Sequence, residues 1–214
     1  MRIRKKPNLI PRMARCAHVQ IEEPTALKGE WLKCNPDYKE LWLELGCGKG
    51  RFTADTAEQN PEALLVAVEK VADVMIIGME RAADRGLENV RFIDTDVLAL
   101  PVIFGQDEVD RIFLNFSDPW PKSRDAKHRL TSPGFLEIYE SVLKPEGEIH
   151  LKTDNRPLFE YSVETLEKEG WMISELNMDL HANGVVGVMT DYEAKFYEQG
   201  VKINRLIAKK EKRL

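Results

Sequence analysis

Acids and glycines at a few places in the chain have the types and spacing to do chemistry. Three glycines alternate in Gly46-Cys47-Gly48-Lys49-Gly50, directly after the apolar run Leu41-Trp42-Leu43-Glu44-Leu45, and Glu44 stands two residues before the first of them. A strand that ends in a glycine turn and opens a helix brings backbone N–H groups close to a flat or charged ligand. Glu69 follows Gly48 by 21 residues, near the offset at which a carboxylate accepts hydrogen bonds from a ribose diol. A dinucleotide fingerprint would need its third glycine at position 51, where Arg51 stands. Asp96 falls where a third strand would deliver an acid to the base of the same nucleoside-like ligand, with Asp94 as its rival. Glu44 has two readings, orienting the glycine loop or meeting the cationic end of a ligand. Further on, Asn115-Phe116-Ser117-Asp118-Pro119-Trp120-Pro121-Lys122 places an acid, a proline and an aromatic after another apolar run. The two prolines around the aromatic break regular structure there.

Those residues need a scaffold that delivers acids to one edge, and the apolar pattern supplies it. Strands are expected at Leu41–Leu45, Leu64–Glu69, Val90–Asp94, Val109–Phe116 and Glu148–Thr153, then at Trp171–Met178 and Val201–Lys209. Helices fall between them. One runs from Arg51 to Asn60, closed by Pro61, and one from Ala72 to Arg85, stopped at Gly86. A third runs from Pro133 to Leu143 behind Ser132, and a fourth over residues 157–169. Lys144-Pro145-Glu146-Gly147 reads as a turn. Alternation of this kind predicts an α/β fold with parallel crossovers and ligands at the carboxyl ends of the strands. Residues 1–35 read as a basic N-terminal arm and lead-in, with a short helical or turn segment at Ala26–Lys33, and 36–214 as the main body of a single domain.

Composition excludes several classes. No apolar run approaches the roughly 20 residues that span a bilayer, and the basic start lacks an apolar signal core. Cys16, Cys34 and Cys47 form no Cys-x-x-Cys pair, so neither a disulfide framework nor a metal site is expected. A cytoplasmic address and no membrane partner follow as expectations. The net charge of −5 hides an asymmetry: residues 1–15 carry +6 and residues 200–214 carry +5, leaving −16 for the rest. Basic ends of this kind can attract phosphate while the whole chain stays soluble.

The glycine motif is similar to the first motif of S-adenosylmethionine (SAM) methyltransferases, and the Asp118 motif resembles that of enzymes methylating base amino groups. Glu44–Gly50, Asp118-Pro119-Trp120-Pro121-Lys122, Lys127-His128-Arg129, Thr153-Asp154-Asn155 and Thr190-Asp191-Tyr192-Glu193 together resemble the bacterial tRNA (guanine-N7-)-methyltransferase family, over nearly the whole chain. The resemblance implies a Rossmann-like SAM-dependent methyltransferase fold, a seven-stranded mostly parallel sheet between helices. It also implies methyl transfer to N7 of the variable-loop guanine of tRNA (m7G46 formation), with SAM as cofactor and tRNA as partner. Glu44, Gly46, Gly48, Glu69, Asp96 and Asp118 would bind the cofactor, with Asp118 also catalytic. Lys122, Asp154, Thr190, Asp191, Tyr192 and Glu193 would meet the guanine or its surroundings, Asp191 and Glu193 being candidates for its N–H edge. Arg124, Lys127, His128 and Arg129 would lie in the loop that contacts RNA. No obligatory protein partner is implied, and the chain would act as a monomer or homodimer.

Overall fold

Apolar runs too short for a helix form the strands, and the longer helices between them each turn an apolar face inward. The structure, a computed structural model, describes residues 7–210. Its internal contacts divide the chain after Gly105 into two units.

In the first unit, helix α1 (Leu9–Arg15) and three short 3₁₀ turns lead into β1 (Glu40–Leu45), α2 (Arg51–Gln59), β2 (Ala63–Glu69), α3 (Ala72–Asp84), β3 (Val90–Asp94) and the single turn α4 (Leu100–Ile103). Strand β2 pairs in parallel with β1 on one side and β3 on the other, with Leu43 opposite Val66 and Ala67 opposite Phe92. It is buried along all but its last residue, as expected of a parallel strand covered on both faces. The lead-in expected to be an arm is packed where it is described. Val19 and Trp31 are each 1% exposed, and Trp31 donates its indole N–H to the Ile103 carbonyl at 3.1 Å. Arg12 forms a bidentate pair with Glu80 of α3 at 2.7 and 2.6 Å.

Gly50 closes the glycine loop at the start of α2 with φ +66°, and a Cβ there would stand 2.6 Å from the Gly78 Cα of α3. The alternation of glycines is therefore partly a packing requirement, because two backbones touch. Gly50→Ala combines a left-handed backbone with this clash and should cost about 2 kcal/mol or more. In a chain of this size that lowers the melting temperature by about 5 °C, read by calorimetry.

In the second unit, β4 (Val109–Asn115) is followed by a 3₁₀ segment (Ser123–His128), α5 (Pro133–Val142), β5 (Leu143–Thr153), α6 (Arg156–Lys168), β6 (Trp171–Asn177), α7 (Asp191–Glu198) and β7 (Asn204–Lys210). Strands β4 and β5 are parallel, and β7 runs antiparallel to both β5 and β6. The expected turn at Lys144–Gly147 belongs to β5 instead. The strand begins at Leu143, and the irregular stretch is absorbed as a register shift between Val109 and Arg111 of β4. Helix α7, unforeseen from the apolar pattern, has only Glu193 fully buried. Within the first unit the strand order is β3-β2-β1, and within the second it is β4-β5-β7-β6.

Glu148 of β5 gathers three basic neighbours. The His150 ring nitrogen is 2.7 Å away, Lys209 of β7 is 3.0 Å away and Arg111 of β4 is 3.5 Å away. Led by the His150 hydrogen bond, they hold the Glu148 carboxyl at about 2, below the ordinary 4.5. A depressed carboxyl stabilises the fold above its unfolded pKa and loses that contribution as it is protonated. Unfolding free energy should therefore fall as pH drops from 4.5 toward 2. Glu148→Gln should flatten that part of the profile, as denaturant titrations at stepped pH will read.

Candidate functional site

The first unit builds one set of functional groups around the glycine loop. Gly46 and Gly48 hold φ of +76° and +57°, and no heavy atom lies within 4 Å of where a Cβ would stand on either. Gly46 and Cys47 both donate their N–H groups to Val68 O, at 2.8 and 3.2 Å. Glu69, at the carboxyl end of β2, accepts from Gly48 N and Val71 N, each at 3.1 Å. Burial pushes the Glu69 carboxyl above its ordinary value, against the opposing effect of those N–H groups. Each oxygen takes one of these bonds and has a further lone pair for a ligand hydroxyl.

Glu44 lies on β1, one residue before its end. It is 2% exposed and accepts a hydrogen bond from the Thr53 hydroxyl, which ties the end of β1 to the first turn of α2. Asp96 stands past β3, where its carboxylate caps the following turn through Leu98 N at 3.0 Å and lies 3.8 Å from Lys70 Nζ. Its rival Asp94 sits opposite Glu69 in the strand register. Cys47 is buried, and burial with Glu44 and Glu69 nearby drives its thiol well above the ordinary value. It remains a neutral, inert thiol.

The second unit builds the other set. Asp118 follows β4 and Asp154 follows β5, at the same ends of two adjacent parallel strands whose last paired residues are Asn115 and Lys152. Both carboxylates are exposed, and neither makes a hydrogen bond or ion pair with the described residues. The Asp118 loop lies between two non-glycine residues with positive φ, Phe116 at +53° and Trp120 at +42°, a conformation held only where surroundings enforce it. Trp120 is 39% exposed, and its ring lies 5.1 Å from that of His128. Next to Asp154, Asn155 caps α6 by accepting from Leu158 N at 2.9 Å.

Known proteins resemble the chain over most of its length. Residues 38–206 match a family described as "Putative methyltransferase". A tRNA (guanine-N(7)-)-methyltransferase of Halalkalibacterium halodurans is 41% identical over 206 residues, covering 96% of this chain and 94% of that one. The chain belongs to the tRNA (guanine-N7-)-methyltransferase family. Solved structures share its fold. The 16S rRNA methyltransferase KamB has a TM-score of 0.66 at 19% identity, covering 86% of this chain and 94% of its own. The 16S rRNA (adenine(1408)-N(1))-methyltransferase of Catenulisporales acidiphilia has a TM-score of 0.63 at 19% identity, covering 87% and 94%. The seven-stranded, mostly parallel Rossmann-like methyltransferase fold expected from the sequence is the one found.

In this methyltransferase several expected contact residues are committed elsewhere. Glu193, a candidate for the guanine edge, is 0% exposed. It binds Lys152 Nζ at 2.5 Å, His181 Nε2 at 3.0 Å and Thr190 N at 3.1 Å. Thr190 returns a bond to Glu193 N at 3.0 Å, so the pair is the capping box of α7. Both residues fix the helix, while Tyr192 projects outward at 53% exposed, beside Asp191. Arg129, expected on RNA, instead grips the carbonyls of Pro119 and Trp120. Lys122, Arg124 and Lys127 are exposed.

The basic ends contribute less free charge than their count suggests. Arg12 is engaged by Glu80, Lys202 by Asp179 at 3.2 Å, Arg205 by Glu175 at 3.3 Å and Lys210 by Glu140 at 2.9 Å. Arg2, Arg4, Lys5, Lys6, Lys212 and Arg213 lie outside the described residues. Among the described residues no His, Cys, Asp and Glu side chains cluster as a metal site, and no helix is long and apolar enough to cross a membrane. Thr53, Tyr161, Lys152 and His181 are the supporting residues that motif reading missed. Lys152 alone left a signal, a cation next to buried Leu151 that must find a partner.

Proposed function

We propose that the chain transfers the methyl group of S-adenosylmethionine to N7 of the variable-loop guanine of tRNA. The observation that carries this reading is the pair of exposed carboxylates, Asp118 and Asp154, at the ends of neighbouring parallel strands, with no ion pair to either among the described residues. Guanine N7 presents an in-plane lone pair and no proton, so no general base is required. Positive charge grows on the base as the methyl arrives, and a preoriented carboxylate stabilises it most where charge develops. The open loop at Gly46 and Gly48 with the Glu69 carboxylate fits a nucleoside cofactor with a ribose diol, Glu69 taking the hydroxyls and Asp96 the base end. When bound, S-adenosylmethionine supplies an electrophilic methyl group on a cationic sulfur. Trp120 offers an aromatic face to the flipped base, and Lys122, Arg124 and Lys127 offer charge to the RNA backbone.

The test is transfer of labelled methyl from SAM to unmodified tRNA, with the modified nucleotide mapped. Label at N7 of the variable-loop guanine supports the reading. Label elsewhere, or on small molecules alone, overturns it.

A further inference from the structure

The Arg129 guanidinium lies where its sequence neighbours suggest an RNA contact, yet its bonds point inward. Nε donates to Pro119 O at 3.1 Å and to Trp120 O at 3.3 Å, and Nη2 donates to Trp120 O at 3.0 Å. Its Cζ sits 4.2 Å from the centre of the Tyr161 ring on α6. We infer that Arg129 is a positioning residue: it clamps the Asp118 loop to the helix that begins just after Asp154, and so fixes the two exposed carboxylates relative to each other.

Three features support this. The clamped carbonyls belong to the two residues directly after Asp118, so the guanidinium acts on the backbone that aims the carboxylate. That backbone is uphill at Phe116 and at Trp120, and a loop with two left-handed non-glycine residues needs outside restraint. The Phe116 end is held by its N–H on Lys152 O at 2.8 Å and by its ring against Phe196 at 6.0 Å. At the Trp120 end the hold is the Arg129 fork together with the packing of His128. A planar guanidinium can grip two carbonyls and stack on a ring at once, and an ammonium cannot.

The proposal rests on the methyl-transfer reading but has its own readout. Arg129→Ala and Arg129→Lys should each lower the single-turnover methylation rate at saturating tRNA by about a hundredfold. Both should leave tRNA affinity and its salt dependence as in the wild type. Added guanidinium ion should restore part of the rate to Arg129→Ala. Independently of activity, amide exchange over residues 116–122 should quicken in both variants. A weakened tRNA affinity with shallower salt dependence and an unchanged rate would make Arg129 a phosphate contact and overturn the proposal. A full rate with unchanged amide exchange in Arg129→Lys overturns it as well, and that variant decides the matter should Arg129→Ala not fold. Wild-type protein that leaves tRNA unmethylated would fail the functional reading instead, and the exchange measurement would still decide whether Arg129 holds the loop.

Discussion

Asp118→Asn lowers the single-turnover rate of methyl transfer by about a hundredfold while the melting temperature stays within about 1 °C of the wild type. The two halves of that expectation come from the same observation. The Asp118 side chain is exposed and makes no hydrogen bond or ion pair with the described residues, so the fold loses nothing when its charge is removed. Asparagine keeps the shape and one accepting oxygen, while the charge goes and the other oxygen becomes an NH2 donor. A cation-forming reaction should respond to that change through its transition state, since N7 becomes positive as the bond forms. Asp154→Asn, at the neighbouring strand end, should give a smaller loss if Asp118 is the nearer carboxylate. Quenched-flow methylation of unmodified tRNA measures both, and a wild-type rate in Asp118→Asn would remove that residue from the mechanism.

How much of this could be seen in the letters depends on how local the cause is. The strands were legible because Leu64–Val68 and Ile112–Leu114 are apolar runs with turn signals close by, and such a run has few other places to go. Helix ends were legible where proline or glycine stops them, as at Pro61 and Gly86. That Glu69 lies beside the glycine loop was legible from spacing alone, because the loop and the next strand end are tied by a short crossover of fixed length. Long-range causes were hidden. Nothing in Val201–Lys209 says that β7 enters between β5 and β6 in the opposite direction, since that depends on what the two neighbouring strands leave unpaired. The Lys144–Gly147 segment carries turn residues, yet the β4 register accommodates it within β5. Helix α7 did leave a mark: Thr190 and Glu193 have the capping-box spacing. The eight residues Asp191–Glu198 bury too little apolar surface for the periodicity to show it. The site showed the same division. Residue types named the acids, but which acids face outward and which are consumed by partners is a tertiary fact. Glu44 found Thr53, Glu193 found Lys152 and His181, and Arg12 found Glu80 across an interval of 68 residues.

That division bears on the second large effect, at Glu193. Were Glu193 on the guanine edge, its removal would cost turnover and spare the fold. The structure gives the opposite order. Its carboxylate is fully buried among Lys152, His181 and the Thr190 N–H, and the Lys152 side chain is itself only 10% exposed. Glu193→Ala takes the counter-charge from a buried ammonium and the partner from the α7 cap together. Breaking a buried pair from one side costs about 3–5 kcal/mol, which lowers the melting temperature by about 10 °C. Lys152 would keep its bond to Val188 O at 2.8 Å, a carbonyl that cannot neutralise it. The double replacement Lys152→Met with Glu193→Leu should recover much of the loss, because an apolar pair of similar volume carries no desolvation penalty. Calorimetry on Lys152→Met alone, Glu193→Leu alone and the double variant forms the cycle. Strict additivity, with no recovery in the double variant, would mean that the pair is not coupled and that Glu193 acts through the cap alone.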